Sequence, residues 1–457
     1  MAEALSADYV VVGAGAAGMA FADAVVGHSD AEVVIVDRRH APGGHWVDAY
    51  PFVRLHQASL FYGVAGEQLG DGSVQTSGPE QGLQERATAP EICAYYTRVM
   101  DRLVRTGQVR FLPGCDWLAD GRARSRASGK EYAVSARRAV VDAHYLEPMI
   151  PATTPAPFEV GDGARVIPVN ELVRLDGAPS RYAIVGSGKT ATDSIVWLLG
   201  NGVDPDRICW IRPRDPWLLN RAKVQPDPAV FLGIGADMME AAATASSLDQ
   251  MFLRLEEAGV VLRIDTAITP TMARTPTLAQ WELDLLRSVD DVVRLGHVRH
   301  VDPGRMVLDD GTVPLAADTV VVHCAAAGLR DRPSVPIWGE GTITVQPTRA
   351  GFPCFGAAMI GYVEATRGDT DEKNRVCPPS TYPNSLADWT RMQVLGARSA
   401  AAFNAEPDIA AWANDCLLNP ARVPAEKAGD PAVGAVKERI AAAGGPGLAR
   451  MAELAGL

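Results

Sequence analysis

Long apolar runs are missing from this chain: none approaches the roughly 18 residues that a membrane-spanning helix requires. Closely spaced cysteines are missing too. The seven, at positions 93, 115, 209, 324, 354, 377 and 416, never form a Cys-x-x-Cys pair, which excludes a vicinal dithiol centre and a zinc ribbon. The eight histidines include no His-Glu-x-x-His, and no metal site is expected. Basic charge is outweighed by acid, 43 Lys and Arg against 55 Asp and Glu, so the phosphate backbone of a nucleic acid is a poor partner. The N-terminal residues lack a charged region followed by an apolar core and a cleavage site, and scattered free cysteines suit a reducing compartment. A cytoplasmic protein with no membrane or nucleic-acid partner is the expectation. What is present is an ordinary globular mixture, 47% apolar and 21% charged, over 457 residues, enough for two or three domains.

The strongest signal starts at Tyr9. Tyr9-Val-Val-Val12 reads as a buried parallel strand, and Gly13-Ala14-Gly15-Ala16-Ala17-Gly18 follows at once. An alanine-rich helical stretch to Val26 leads to a second buried strand, Val33 to Val36, ending in Asp37 and Arg38. The glycines have separate tasks. Gly13 allows the tight turn, Gly15 admits a pyrophosphate to the backbone, and Gly18 lets helix and strand pack closely. The helix N-terminus then favours the phosphates, and Asp37 stands where a ribose diol would be bound.

A second unit of the same kind begins at Tyr182. The strand Tyr182–Val185 runs into Gly186-Ser187-Gly188-Lys189-Thr190-Ala191, with alanine in the third small position, then a helix and the strand Ile208–Ile211. An acid does not follow; Arg212-Pro-Arg214 does. Guanidinium groups bind a 2′-phosphate that a carboxylate would repel, so NADPH is expected here rather than NADH. Gly188-Lys189-Thr190 also resembles the end of a P-loop, but the first glycine of that motif would fall on Ala183.

An acid-ended unit followed by an arginine-ended one resembles the two-dinucleotide-binding flavoproteins. Pro42-Gly43-Gly44-His45-Trp46, Tyr50-Pro51, Arg54 and His56 narrow the resemblance to the flavin-containing and Baeyer–Villiger monooxygenases, where a Gly-Gly-x-Trp, a Tyr-Pro and an Arg-x-Asn or Arg-x-Asp occur in similar order. The resemblance implies an α/β fold with an FAD domain over residues 1–160, an NADP domain with a helical insertion over 161–330, the FAD domain resumed over 331–400, and a helical tail over 401–457. It also implies FAD bound around the first turn, with Gly44, His45, Trp46 and Gln346 as further contacts. The activity it implies is oxygen transfer to a small organic substrate through a C4a-(hydro)peroxyflavin, with NADPH and molecular oxygen consumed. His56 is the acid/base candidate, with Gln57 beside it, because an imidazole occupies the place of the family's Asn or Asp.

The linker ahead of the second turn departs from the family: Phe158 to Leu172 contains no histidine, and its first glycine, Gly161, falls one place late. A hydride-transferring reductase that never passes oxygen on is therefore the alternative, with a non-catalytic flavin-binding protein as the third reading. Helices are expected over 91–104, 236–258 and 277–289, the last two as an insertion beside the NADP fold. The tail is expected to break at Pro420, Pro424, Pro431 and Pro446. A homodimer is the commonest oligomer a chain of this kind adopts.

Overall fold

The structure, a computed structural model, describes residues 3–330 and 332–457. β1 (Glu3–Val12), α1 (Ala16–His28) and β2 (Val33–Asp37) form the first unit. α2 (Ala89–Arg105) opens on a capping box in which the Glu91 carboxylate accepts from the Thr88 backbone N–H at 2.7 Å, and it buries Ile92, Tyr95, Tyr96, Val99 and Leu103. β3 (Val109–Pro113), β4 (Cys115–Trp117), β5 (Arg122–Ser125) and β6 (Glu131–Asp142) follow. β1 starts well before Tyr9 because its whole length pairs in parallel with β6, from Glu3 opposite Tyr132 to Val12 opposite Asp142.

The second unit comprises β7 (Val166–Pro168), β8 (Tyr182–Val185), α3 (Lys189–Gly200) and β9 (Ile208–Ile211). Then come β10 (Pro216–Asn220), α4 (Pro228–Ala243), α5 (Leu248–Glu257), β11 (Val261–Arg263), β12 (Met272–Leu278) and α6 (Gln280–Leu286). β13 (Val292–Val293), the antiparallel β14 (Val298–Asp302), β15 (Arg305–Leu308) and β16 (Gly311–Pro314), and β17 (Val320–His323) close this half. The chain returns through β18 (Trp338–Gly339), β19 (Thr342–Thr344), α7 (Pro353–Thr366), α8 (Leu386–Asn404) and α9 (Pro431–Leu454).

Two of the resulting sheets carry the glycine turns. The first runs β18-β19-β6-β1-β2-β3 and the second, wholly parallel, runs β7-β17-β8-β9-β13. In each, the strand that carries a glycine turn is flanked by a crossover on either side, so the turn sits at a topological switch point above the carboxyl ends of the strands. Among the described residues no helix is long and apolar enough to cross a membrane.

Three expectations need correction. The insertion divides between the halves: Trp217, Val224, Ile234, Met251 and Phe252 share one core with α1, α2, α7, α8 and α9, while Leu278, Leu283 and Leu286 join the core of the second sheet with Ile184, Ile195 and Trp210. Part of the stretch read as helix from 277 is strand β12, and the helix spans only Gln280–Leu286. α9 also runs through Pro446. Gly447 lets α9 approach α4 so closely that a Cβ there would lie 2.5 Å from the Met239 carbonyl oxygen, and this packing holds the helix together across the proline.

Candidate functional site: two dinucleotide cradles

At the first turn, Gly13 adopts φ +110° and its N–H donates to the Val36 carbonyl at 2.8 Å. A Cβ at Gly18 would lie 1.9 Å from the Gly13 carbonyl oxygen, so only glycine fits. The Gly43-Gly44 segment seals the turn from above. Gly43 donates to the Ala14 carbonyl at 2.9 Å, and Gly44, at φ +60°, approaches so near that its Cβ would lie 2.8 Å from the Gly15 Cα. Beside them opens a cleft of about 350 Å³, walled by Gly13, Gly15, Ala17, Asp37, Arg38, Gly44 and His45 on one side and Tyr62, Gln346 and Pro353 on the other.

Asp37 accepts from the Ala14 N–H at 2.6 Å and the Arg39 N–H at 2.7 Å, leaving lone pairs on both oxygens for a diol. Arg38 is ion-paired with Glu147, which also lines the cleft. Burial, with the Arg39 cation second, lowers the His45 pKa to about 4, so this wall of the cleft carries a neutral imidazole. Trp46 stands behind the wall rather than in it: its indole N–H donates to the Tyr62 hydroxyl at 2.6 Å and fixes that ring. Gln346 lines the cleft, but both ends of its amide are engaged by Val335, accepting from its N–H at 3.1 Å and donating to its carbonyl at 2.8 Å. Those two bonds fix the amide's orientation and leave its second N–H and second lone pair for a partner in the cleft. Tyr62 is a wall residue that no motif signalled.

The second turn is built alike but stands open. Gly186 adopts φ +138°, and a Cβ there would meet the Cys324 carbonyl oxygen at 2.9 Å. Over Gly188 a Cβ would meet nothing within 4 Å. Ser187 and Thr190 share this turn, and Lys189 begins α3 in an ion pair with Asp193, which also accepts from the Tyr50 hydroxyl at 2.7 Å. Phe52 stacks on Trp197 of α3 with centroids 4.9 Å apart, so the Tyr-Pro segment of the first half clasps the second.

The two expected arginines part company. Arg212 is 1% exposed, lies 3.0 Å from the Asp215 carboxylate and 4.5 Å over the Trp210 ring, and is an interior residue rather than an outward phosphate ligand. Arg214 instead converges with Arg274: the Asn384 side-chain oxygen accepts from Arg274 at 2.9 Å and lies 3.5 Å from Arg214. Neither has a carboxylate partner among the described residues, and Arg274 reinforces the burial that lowers the Arg214 pKa. Arg274 arrives there through a bulge. The β10–β12 register steps from Trp217 opposite Ala273 to Leu219 opposite Thr277, so Arg274, Thr275 and Pro276 together oppose Leu218, a surplus of two residues.

His56 is absent from the wall of the first cleft and lies between the halves. Its carbonyl accepts from Arg221 Nε at 3.0 Å and from the Thr277 hydroxyl, and its Nδ1 accepts from the Thr277 N–H at 3.4 Å. Burial first, then Lys189, Arg221 and Arg86, lowers its pKa to about 3. Gln57 is buried beside it, at 4% exposure.

Fold and cradles together define a protein with two dinucleotide-binding folds, and the comparisons with known proteins agree. The family profile described as NAD(P)-binding Rossmann-like domain matches residues 11–57. Among solved structures, an oxidized steroid monooxygenase bound to NADP shares 17% identity and a TM-score of 0.50, covering 88% of this chain and 98% of its own. A polycyclic ketone monooxygenase from Thermothelomyces thermophila shares 14% identity and a TM-score of 0.51, covering 96% and 89%. The chain thus has the fold of these monooxygenases. It belongs to the family of an uncharacterized protein of Mycobacterium tuberculosis and its counterpart in Mycobacterium bovis, each 42% identical over 422 residues, 92% of this chain and 78% of the relative.

Proposed function

We propose that the protein is an FAD-dependent, NADPH-using oxidoreductase of the monooxygenase type, acting on a small organic substrate with molecular oxygen. The observation that carries this reading is the pairing of unlike cradles, a sealed one with a carboxylate and an open one with a carboxylate-free arginine pair. The proposed division is an FAD domain over 1–160 and 331–400, an NADP domain over 161–330 and a helical tail beyond. Gly13, Ala14, Gly15, Ala17 and Gly18 would hold the FAD pyrophosphate at the start of α1, with Asp37 on the ribose and Arg38, Gly44, His45 and Tyr62 along the walls. FAD, when bound, would supply hydride acceptance and the reduced ring that reacts with oxygen. Gly186, Ser187, Gly188, Lys189 and Thr190 would take the NADPH pyrophosphate. Arg214 and Arg274 would take the 2′-phosphate by charge-assisted hydrogen bonds. Trp46 and the Gly43-Gly44 segment hold the wall of the flavin cleft in place.

The relatives of like fold named as monooxygenases support oxygen transfer; the histidine-free linker at 158–172 favours a reductase that stops at hydride transfer. Isotope labelling separates the two. The FAD-loaded protein would be supplied with NADPH, labelled oxygen gas and a panel of ketones, sulfides and amines, and the products weighed by mass spectrometry. One labelled atom per product molecule supports the monooxygenase; NADPH consumption that yields only labelled hydrogen peroxide and water supports the reductase.

A further inference from the structure

We propose that Tyr50 couples the two cradles: its hydroxyl holds Asp193 and, through Asp193, meets Lys189, so that a dinucleotide at the second turn tightens the hold of the first turn on FAD. Tyr50 is then a positioning residue, and the inference rests on the reading of the second turn as the NADPH cradle.

The span from the first turn to Tyr50 is short and bonded along its length. Gly43 donates to the Ala14 carbonyl at 2.9 Å, and its own carbonyl accepts from the Trp46 N–H at 3.3 Å. Gly44–Asp48 form one 3-10 turn, closed by the Ala49 N–H on the Trp46 carbonyl. That turn is pinned from both halves. Arg39 Nε donates to the Asp48 carboxylate at 2.7 Å, and the Asn170 amide donates to the Asp48 carbonyl at 3.0 Å. Tyr50 follows directly, with its carbonyl accepting from the Val53 N–H at 3.1 Å. Its ring belongs to the core of the second sheet, with Val169, Leu172, Ile195 and Leu198. Packing alone would hold a ring there, as it holds Phe52 on Trp197. The hydroxyl adds something packing does not supply, a bond to a carboxylate: it donates to Asp193 Oδ2 at 2.7 Å.

Asp193 stands one turn into α3, and its two oxygens are divided. Oδ2 accepts from Tyr50, and Oδ1 accepts from the ammonium of Lys189, four residues back. Both charged side chains are largely buried. Lys189 is the first residue of α3, directly after Gly188, where the free N–H groups and the helix dipole favour an anion. Its ammonium carries three donors on a flexible stem, so it follows whichever negative charge is strongest nearby. With the second turn empty that charge is Asp193, and the Tyr50 hydroxyl faces a carboxylate already neutralised. With pyrophosphate at the turn, the ammonium swings toward the phosphates. Asp193 then keeps Tyr50 as its remaining side-chain partner among the described residues. A hydroxyl bonded to a carboxylate without a counter-ion makes the stronger bond. The far end of the span is held harder, and Gly44 with it against Gly15. The two positions of one ammonium supply the differential contact that coupling between sites requires.

The test is equilibrium dialysis of the FAD-loaded protein, with the FAD dissociation constant measured in the absence of NADP⁺ and at saturating NADP⁺. In the parent, NADP⁺ should tighten FAD roughly fivefold, the low end of coupling between two sites. Tyr50→Phe keeps the ring and its packing; it should bind both ligands, with the ratio reduced to about one. Asp193→Asn keeps the shape and removes the charge; it should lose the ratio likewise, and the double variant should lose no more than either. Phe52→Leu removes the neighbouring stack and leaves the three bonded groups intact, so it should lower the melting temperature and keep the parental ratio. Should Tyr50→Phe not fold, Asp193→Asn reads the same quantity. A ratio of one or below in the parent overturns the proposal alone, as does a ratio that survives in Tyr50→Phe or is lost in Phe52→Leu. Failure of the parent protein to bind NADP⁺ overturns the cradle reading along with it.

Discussion

The two glycine turns are the same device in different settings. Around the first, Gly44 presses on Gly15, a tyrosine and a proline close the far wall, and the strand beside the turn ends in the Asp37 carboxylate. Around the second, Gly188 faces open space and the unpaired charges are arginines. A phosphate-binding turn thus sets what kind of group is bound, and its lid sets how long. The sealed turn suits a cofactor that stays through many turnovers; the open one suits a nucleotide that comes and goes.

Gly44→Ala should break the contrast most severely. The added methyl lies 2.8 Å from Gly15 and the backbone must hold φ +60°, so the purified protein should lack flavin absorbance, with FAD affinity reduced at least about tenfold. Gly188→Ala meets nothing within 4 Å; flavin content and melting temperature should be unchanged, and only NADPH binding should weaken, several-fold.

Next in size are the arginines. Arg214→Ala and Arg274→Ala should each weaken NADPH roughly tenfold while leaving NADH unaffected, since each removes a charge-assisted bond of about 1.5–3 kcal/mol to a phosphate that NADH lacks. Arg212→Ala should act on stability instead, lowering the denaturation midpoint by the equivalent of about 1–3 kcal/mol, because buried Asp215 loses one of its two arginine partners and keeps Arg294 at 3.0 Å. Equal loss of NADPH and NADH affinity in the first two variants would remove the 2′-phosphate assignment.

A separate effect, read in stability rather than in binding, is the response to acid. His45 and His56 titrate at about 4 and about 3 in the folded chain against 6.5 when unfolded. The unfolded state therefore binds protons first, and stability falls as pH drops below 6.5 toward 4, a fall that His45→Gln should make shallower in urea titrations.

Both turns, α2 and the asymmetry of acid against arginine were legible in the sequence because each is local: a glycine spacing, an apolar period, a residue type at a strand end. The rest is set by contacts between distant segments. β12 contains Pro276 and a bulge of two surplus residues, so it shows no alternation, and its neighbour α6 begins only where Glu282 returns to the Ala279 N–H at 2.8 Å. Arg274 could not be recognised as Arg214's companion, 60 positions away along the chain, because only that bulge brings it there. Arg212 had the right type and spacing but the wrong side of the strand. His56 was found by its place after Tyr-Pro, yet its partners Arg221 and Thr277 carry no motif.

The account stands most directly on anaerobic mixing of the FAD-loaded protein with NADPH and, separately, with NADH, while the flavin spectrum is recorded. Full bleaching by NADPH, at least about tenfold faster than by equal NADH and slowed selectively in Arg214→Ala, is the predicted result. A flavin that stays oxidised with NADPH, or that reduces equally with both nucleotides, would contradict the assignment of the second cradle.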